Sequence, residues 1–240
     1  MMAIMTQGRN GALRRIAAVV VSTGIVATSV ASHAGAAPDD QITLTFIRHA
    51  QSAGNVSGFI DTSIPGPGLT ELGWDQAHRV PADFADDGFD GVFASTMVRT
   101  QQTAEFLAEE LDEPVDVLPG LREIEAGVYE GQPEIAGVAF YAVLKQWARG
   151  DRTARIPGSI DGNEFDTRFD DAVAAIYATG DRDPVAFSHG AAIALWTLMN
   201  TNNADPTLLE TKPLNNTGYV VVRGSPSAGW TLVDWNGVRV

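Results

Sequence analysis

An arginine and a histidine follow directly after an apolar, β-rich run near the start of the chain, in the segment LTFIRHAQSAGN. Because open α/β sheets place their ligands at the carboxyl ends of strands, Arg48 and His49 are predicted to lie at such an edge. Imidazole is a good nucleophile near neutral pH, and a neighbouring guanidinium presents a planar fork of donors to phosphate oxygens. This pair of residue types therefore suits phosphoryl transfer.

Three later segments carry residue types that could complete the same site. In FASTMVRTQQTA a short apolar strand gives way to a helix that carries Arg99. The segment LREIEAGVYEG carries the carboxylate of Glu123. In VAFSHGAAI another strand ends at His189, which is followed at once by a glycine and a helical pattern. Cations and a second imidazole could surround a phosphoryl group, and a carboxylic acid could protonate a poor leaving group such as an alkoxide.

The order and local context of these motifs resemble those of the histidine phosphatase superfamily, whose members include the cofactor-dependent phosphoglycerate mutases and many acid phosphatases. The segment LTELGWDQA also resembles the helix start that follows the first motif in this family. The resemblance extends from about Ile42 to Met199. Two positions depart from the commonest pattern, since Ala50 stands where the family usually has Gly and Tyr129 where many relatives have Trp.

The resemblance implies a role for each residue of these motifs. His49 would be the nucleophile that becomes a phosphohistidine, and Glu123 would be the proton donor. The other matching side chains would place donors around the transferring phosphoryl group: Arg48, Asn55, Arg99 and His189. Phosphoryl transfer asks mainly for positioning and for stabilisation of charge on three oxygens, so this set would need neither a metal nor a cofactor.

Some candidates in these segments leave alternatives open. Glu125 or Glu130 could carry the proton instead, with Glu123 as a solvated loop carboxylate. Arg48 and Arg99 could form surface ion pairs. His78, just after LTELGWDQA, is predicted to lie on a helix flank outside the site.

A cluster of basic side chains could add a second contact to the substrate. Lys145, Arg149, Arg152 and Arg155 fall within eleven residues, next to Trp147. By the resemblance, this segment roofs the pocket. One hypothesis is that one or two of these cations bind a second anionic group on a small-molecule phosphomonoester. The alternative is a solvated helix face.

The first 37 residues have the composition of a secretory signal peptide. Three arginines precede the apolar run 16–31, and the small residues SHAGAA provide an Ala-x-Ala exit. The run is shorter than about 20 residues and contains Ser and Thr, which favours cleavage over a retained membrane anchor. A twin-arginine signal has little support around Arg14 and Arg15. We therefore predict a cleaved signal at 1–37 and a secreted or cell-envelope domain at 38–240, with no stable membrane association after cleavage.

Charge and cysteine content exclude several function classes. Removal of the leader's three arginines changes the formal net charge from -14 to -17. A domain so acidic is expected to repel nucleic acid and anionic membrane surfaces, so no nucleic-acid partner is predicted. The chain has no Cys, which excludes disulfides, thiol nucleophiles and Cys-based metal sites.

Strand and helix patterns alternate along the rest of the chain. Alternation of this kind predicts an α/β fold, a three-layer α/β/α sandwich with a largely parallel central sheet, as the resemblance to phosphoglycerate mutases also implies. Strands are predicted at 42–47, 91–94, 115–118, 185–187, 219–222 and 230–233. Helices are predicted from Thr70 to a break near Pro81, at 99–111, over most of 132–183 except the segment RIPGSIDG, and at 191–199.

Three functions are compatible with these features. The sequence favours an exported phosphomonoester hydrolase that acts through a phosphohistidine. One alternative is a cofactor-dependent phosphoglycerate mutase, but this needs a bisphosphorylated primer and a glycolytic pool, neither of which is expected outside the cytoplasm. The other is a non-catalytic phospholigand-binding module, which would be expected to lack the nucleophile or the acid, whereas His49 and Glu123 are both present.

Overall fold

The computed structural model describes residues 40–240, and the signal peptide predicted at 1–37 lies outside the described residues. A seven-stranded sheet forms the centre of the described part, in the order β3-β2-β4-β1-β5-β6-β7. The strands are β1 (Ile42–Arg48), β2 (Val92–Ala94), β3 (Val115–Val117), β4 (Val185–Ser188), β5 (Tyr219–Ser225), β6 (Gly229–Trp235) and β7 (Val238–Arg239).

The helices follow the strands in the alternating order that the sequence predicts. They are α1 (Ala53–Ser57), α2 (Glu71–Ala77), α3 (Val80–Asp83), α4 (Val98–Leu111), α5 (Val138–Ala148), α6 (Gly162–Thr179), α7 (Gly190–Asn200) and α8 (Leu208–Thr211). Short 3-10 turns lie at Pro119–Leu121, Gly127–Tyr129 and Glu134–Gly137.

The sheet is mixed, with a parallel half and an antiparallel half. Strands β3, β2, β4 and β1 run parallel to their neighbours, whereas β5, β6 and β7 extend the sheet antiparallel from β1. The predicted α/β fold is confirmed, but the last strands form a meander. A three-residue turn between β5 and β6 leaves no room for the crossover helix that a parallel pair requires.

Side chains of the central strands alternate between two hydrophobic cores, one on each face of the sheet. In β1, Leu44 and Phe46 pack into the core formed with α5, α6 and α7, whereas Ile47 packs into the core formed with α3 and α4. In β4, Ala186 belongs to the first core and Phe187 to the second. Because successive side chains of a strand point to opposite faces, this division gives the three-layer sandwich.

Local signals explain where two of the helices begin and end. The predicted break near Pro81 is present, since α2 ends at Ala77 and the proline lies in the first turn of α3, where its missing N–H costs least. Helix α6 begins after Asp161, whose side chain accepts hydrogen bonds from the Asn163 and Glu164 amides in a capping box. In the part of the chain that the structure describes, no helix is both long and apolar enough to span a bilayer.

Candidate active site

The register of two parallel strands brings the two motif histidines together. Arg48 at the end of β1 pairs with Ser188 at the end of β4, so His49 and His189 are the next residues on adjacent strands. The His49 amide donates to the Ser188 carbonyl at 3.0 Å, and the two imidazole centroids are 5.2 Å apart. The sheet therefore fixes this pair at its carboxyl edge, where β1 also has an antiparallel neighbour on its other side.

The His49 imidazole is held as a neutral ring with one nitrogen available. Nδ1 lies 2.7 Å from the Ala50 carbonyl oxygen, to which it donates, so the lone pair is on Nε2. Arg99 Nε donates to that Nε2 at 3.2 Å. His49 is 3% exposed, and burial, then the charges of Arg99 and Arg48, lowers its pKa well below 6.5. A buried, unprotonated Nε2 is the form that can attack phosphorus.

The two motif arginines reach the site from different elements. Arg99 lies in the first turn of α4 and is buried, whereas Arg48 ends β1 and donates from Nη1 to the Leu214 carbonyl at 2.6 Å. Burial lowers the pKa of both guanidinium groups and the carboxylate of Glu123 opposes that shift. Arginine keeps its charge in proteins, so both groups are cationic at neutral pH.

Three buried nitrogens of the predicted site residues have no hydrogen-bond partner within residues 40–240. They are Arg48 Nε, Arg99 Nη1 and His189 Nδ1. Buried unpaired donors are rare in folded proteins, since each costs about 1–3 kcal/mol. Their concentration around His49 is the arrangement expected of a site that an anionic group completes.

A hydroxyl network holds the His189 ring. Ser95 Oγ lies 2.8 Å from His189 Nε2 and 2.9 Å from Thr100 Oγ1. The Thr100 hydroxyl also donates to the Met97 carbonyl at 2.7 Å. When the Ser95 hydroxyl donates to His189 Nε2, the proton of the neutral ring is on Nδ1, which has no partner within residues 40–240 and can donate to an anion. Burial, then the charge of Arg99, lowers the pKa of His189 well below 6.5.

The Glu123 carboxylate is positioned by backbone N–H groups. Its Oε1 accepts from the amides of Ile124 at 2.9 Å and Ala192 at 3.0 Å, and Oε2 accepts from Ala191 at 3.4 Å. Two of these amides belong to the first turn of α7, where unpaired N–H groups favour an acidic side chain. Glu123 therefore sits at the start of the helix that follows His189.

The two alternative carboxylates are engaged elsewhere. Glu125 forms ion pairs with Arg122 and, at 3.7 Å, with Arg168. Glu130 accepts hydrogen bonds from the amide and hydroxyl of Thr62. Neither lines the cavity that contains His49, whereas Glu123 does. The geometry thus favours Glu123 among the three candidates.

A cavity of about 750 Å³ joins most of the predicted residues. His189 is fully buried beside His49, with ring centroids 5.2 Å apart, and does not itself line the cavity. A second concavity, of about 730 Å³ between the 119–122 turn and α6, contains none of the predicted residues. The predicted residues that line the first cavity are Arg48, His49, Asn55, Arg99 and Glu123.

Asn55 lies in α1 at the edge of this cavity. Its Oδ1 accepts from the Ser52 amide at 3.0 Å and from Asn216 Nδ2 at 3.2 Å. Asn216 also donates to the His49 carbonyl at 3.0 Å. The Nδ2 group of Asn55 donates to no residue in the described region, which leaves it available to an oxygen atom of a ligand.

The side chains of the basic cluster form ion pairs with carboxylates, and most of them do not line the cavity. Arg152 pairs with Asp166, and Arg155 pairs at 2.8 Å with both Asp161 and Glu164. Neither arginine lines the cavity. Lys145 does line the cavity, but its Nζ is 3.0 Å from Oε2 of Glu210. Arg149 contacts the other oxygen of the same carboxylate, also at 3.0 Å. His78 lies on the flank of α2, against Phe106, as the sequence predicts.

Several supporting residues were not predicted from the sequence. Ser95 lies within FASTMVRTQQTA, but its contact with His189 depends on the pairing of β2 with β4. Thr103 accepts from the Ala50 amide at 3.0 Å, which anchors the loop after His49. Gly73 of LTELGWDQA is required sterically, since a Cβ there would stand 2.0 Å from the Gln51 carbonyl oxygen. The signal for Gly73 was its position within LTELGWDQA, the segment that resembles a helix start of the family.

Across residues 40–240, no group of three or more His, Cys, Asp or Glu side chains is arranged to hold a metal ion. The chemistry that this geometry supports is attack by His49 on an electrophile whose charge the two arginines and His189 stabilise.

Comparison with protein families gives a match over most of the chain. The sequence model described as histidine phosphatase superfamily (branch 1) matches residues 44–237. PE-PGRS family protein PE_PGRS11 of Mycobacterium tuberculosis is 43% identical over 216 residues, which are 83% of this chain and 37% of that protein. The probable phosphoglycerate mutase GpmB of Yersinia pestis is 30% identical over 149 residues, which are 61% of this chain and 69% of GpmB. This chain therefore spans well under half the length of the first relative.

Solved structures share the fold. A mycobacterial glucosyl-3-phosphoglycerate phosphatase in complex with VO3 aligns with a TM-score of 0.68 at 24% identity, over 82% of this chain and 100% of that one. Phosphoserine phosphatase from Entamoeba histolytica, in complex with 3-phosphoglyceric acid, aligns with a TM-score of 0.65 at 23% identity, over 82% and 98%. At these identities the likeness establishes the architecture.

Proposed function

Because the chain belongs to the histidine phosphatase superfamily, we propose that it is a phosphomonoester hydrolase that acts through a phosphohistidine at His49. One observation carries this proposal. The unprotonated Nε2 of His49 is buried beside Arg99 at 3.2 Å, amid donors of Arg48 and Arg99 that have no partner in the described residues. A nucleophile and unpaired cationic donors together suit a tetrahedral anion.

In the first half-reaction, His49 Nε2 attacks phosphorus, the N–P bond forms and the P–O bond to the alcohol breaks. The leaving oxygen takes a proton from Glu123, because an alkoxide is a poor leaving group. Arg48, Arg99 and His189 stabilise the charge on the phosphoryl oxygens, and Asn55 donates from Nδ2.

In the second half-reaction, water attacks the phosphohistidine. Glu123 as a carboxylate accepts a proton from this water, the N–P bond breaks and inorganic phosphate leaves. His49 returns to its neutral form, which burial of the ring and the charges of Arg99 and Arg48 favour. Metal participation has no role in this scheme.

The experiment is a screen of the purified mature protein against phosphomonoesters with and without EDTA. The panel includes aryl phosphates, alkyl phosphates and phosphoserine, with release of inorganic phosphate as the readout. We expect turnover that EDTA leaves unchanged and that His49→Ala abolishes. Activity that disappears with EDTA and returns with a divalent metal would contradict the scheme.

A mutase is the second candidate, supported by the similarity to GpmB. Incubation with 3-phosphoglycerate and a catalytic amount of 2,3-bisphosphoglycerate separates the two functions, since a mutase yields 2-phosphoglycerate whereas a hydrolase yields inorganic phosphate. We expect inorganic phosphate from phosphomonoesters and no isomerisation.

We further propose that the protein is exported and begins near Ala37 or Pro38. Support comes from the three arginines, the apolar run 16–31 and the SHAGAA segment of the leader. N-terminal sequencing of material outside the cytoplasmic membrane tests this. Full-length chain in the cytoplasm would contradict export and favour the mutase.

A further inference from the structure

Beyond the arginines and histidines, the cavity is walled mainly by apolar side chains. They come from three separate parts of the chain: the loop before Ile60, helix α5, and the segment that contains α8. Those that matter most here are Phe59, Val138, Tyr141, Leu144, Leu209 and Leu214. They share one cavity with His49 and Glu123, so whatever is attached to the phosphoryl group must lie against them.

Three of these side chains are unusually exposed for their type. Phe59 is 50% exposed, Val138 is 71% exposed and Tyr141 is 45% exposed. Exposed apolar surface that is contiguous with a concave site marks a place where a ligand is bound. An apolar group on the substrate would remove this surface from water, and the free energy gained would be proportional to the apolar area buried.

Charges in the same part of the cavity are unfavourable for a second anion. Asp61 and Glu134 line the cavity, and the Glu134 side chain forms no ion pair with another described residue. Apart from Arg48 and Arg99, the cation that lines the cavity is Lys145, whose Nζ lies 3.0 Å from a carboxylate oxygen of Glu210. Burial, then the carboxylates of Glu134 and Glu123, raises the pKa of Tyr141, so its phenol is neutral at pH 7.

We propose that the alcohol portion of the substrate is a bulky apolar group without a second negative charge. The proposal rests on the proposed phosphatase function and specifies its substrate class. It replaces the hypothesis of a second anionic group, because Arg149, Arg152 and Arg155 do not line the cavity and Lys145 is already paired. The phosphoryl group occupies the cationic end, and the apolar group lies against Phe59, Val138 and Tyr141.

A matched series of substrates tests both parts of the proposal. The first arm compares kcat/KM for n-alkyl phosphates of increasing length. Each methylene buried should raise kcat/KM by about fourfold, which corresponds to about 0.8 kcal/mol. The rise should continue until the chain extends beyond the apolar wall. A value of kcat/KM that is independent of chain length would overturn the apolar part.

The second arm compares an alkyl phosphate with its analogue that ends in a carboxylate. We expect the carboxylate to lower kcat/KM on the order of tenfold, with a smaller penalty at high salt because exposed charges are screened. Equal or better turnover of the carboxylate analogue would overturn the charge part. Failure to hydrolyse any phosphomonoester is a different result, since it refutes the phosphatase function itself.

Two charge reversals provide the structural control. Glu134→Lys should raise the relative kcat/KM of the carboxylate substrate over the alkyl one by reversing a charge in the cavity. Glu110→Lys makes the same change on the exposed C-terminal part of α4 and should leave that ratio unaltered. An equal shift in both variants would mean that net charge, and not the cavity, determines the preference.

Discussion

Substitution of Glu123 by Gln separates proton donation from the other contributions of this site. The side-chain oxygen of a glutamine can still accept from the amides of Ile124 at 2.9 Å and Ala192 at 3.0 Å, so the side chain should stay in place. Only the weaker contact to the Ala191 amide, at 3.4 Å, is lost to the NH₂ group. The variant therefore removes the exchangeable acidic proton with little change in geometry.

The loss of activity should depend on the leaving group. For alkyl phosphates, whose alkoxide needs protonation, kcat/KM should fall on the order of 10²- to 10⁴-fold, the usual contribution of general acid catalysis. That range corresponds to about 2.7–5.4 kcal/mol in the barrier. For aryl phosphates the fall in kcat/KM should be much smaller, because a phenolate leaves with little protonation.

The assay is a plot of log kcat/KM against the pKa of the leaving alcohol for wild type and Glu123→Gln. We expect a steeper negative slope for the variant. Glu125→Gln and Glu130→Gln are matched controls that should keep the wild-type slope, since neither side chain lines the cavity. Equal losses of Glu123→Gln for alkyl and aryl substrates would refute the assignment, and an altered slope in either control would transfer the acid role to that residue.

Three further predictions concern the groups around the nucleophile. Burial lowers the pKa of His49 and His189 well below 6.5, so the unfolded chain binds more protons at acidic pH. The free energy of unfolding should therefore fall as the pH drops below about 6.5, by up to about 1.4 kcal/mol per pH unit for each histidine. Urea titrations at several pH values measure this dependence, and His189→Gln should make it less steep. Ser95→Ala should lower kcat roughly tenfold and shift the pH profile of kcat, because the substitution removes a hydrogen bond that fixes His189. Ser95→Thr should restore both, since it keeps the hydroxyl. An unchanged pH profile in Ser95→Ala would make the role of Ser95 merely structural. Arg168 donates to the Gly120 and Arg122 carbonyls, so Arg168→Met should lower the free energy of unfolding by about 1–3 kcal/mol. Because these bonds hold the loop that carries Glu123, the substitution should also lower kcat more for alkyl than for aryl phosphates.

The parts of the site that follow strands could be predicted from the sequence. Arg48 and His49, and likewise His189, come directly after apolar β-type runs, and the carboxyl ends of parallel neighbours meet at one edge of a sheet. Arg99 could be placed because it follows a short strand at a helix start. The family motifs then indicated which of these ends are adjacent, which residue patterns alone do not specify.

Contacts between side chains distant in sequence could not be predicted in this way. The basic cluster gave no sign that Asp166 and Glu210 would pair with Arg152 and Lys145, because those partners lie 14 and 65 residues away. The support of His189 by Ser95 also depends on sheet order. The antiparallel direction of the last strands could not be predicted either, because strand patterns indicate extended structure but not its direction.

The central claim is covalent phosphorylation of His49, and a trapped phosphoenzyme tests it most directly. Glu123→Gln with a labelled aryl phosphate should accumulate the intermediate, because its formation needs little acid whereas its hydrolysis loses the base. After denaturation in alkali, we expect about one phosphoryl group per chain, on the peptide that contains His49, stable to base and released by mild acid. Label that persists in the His49→Ala, Glu123→Gln double variant, or that resides on the peptide of His189, would contradict this account.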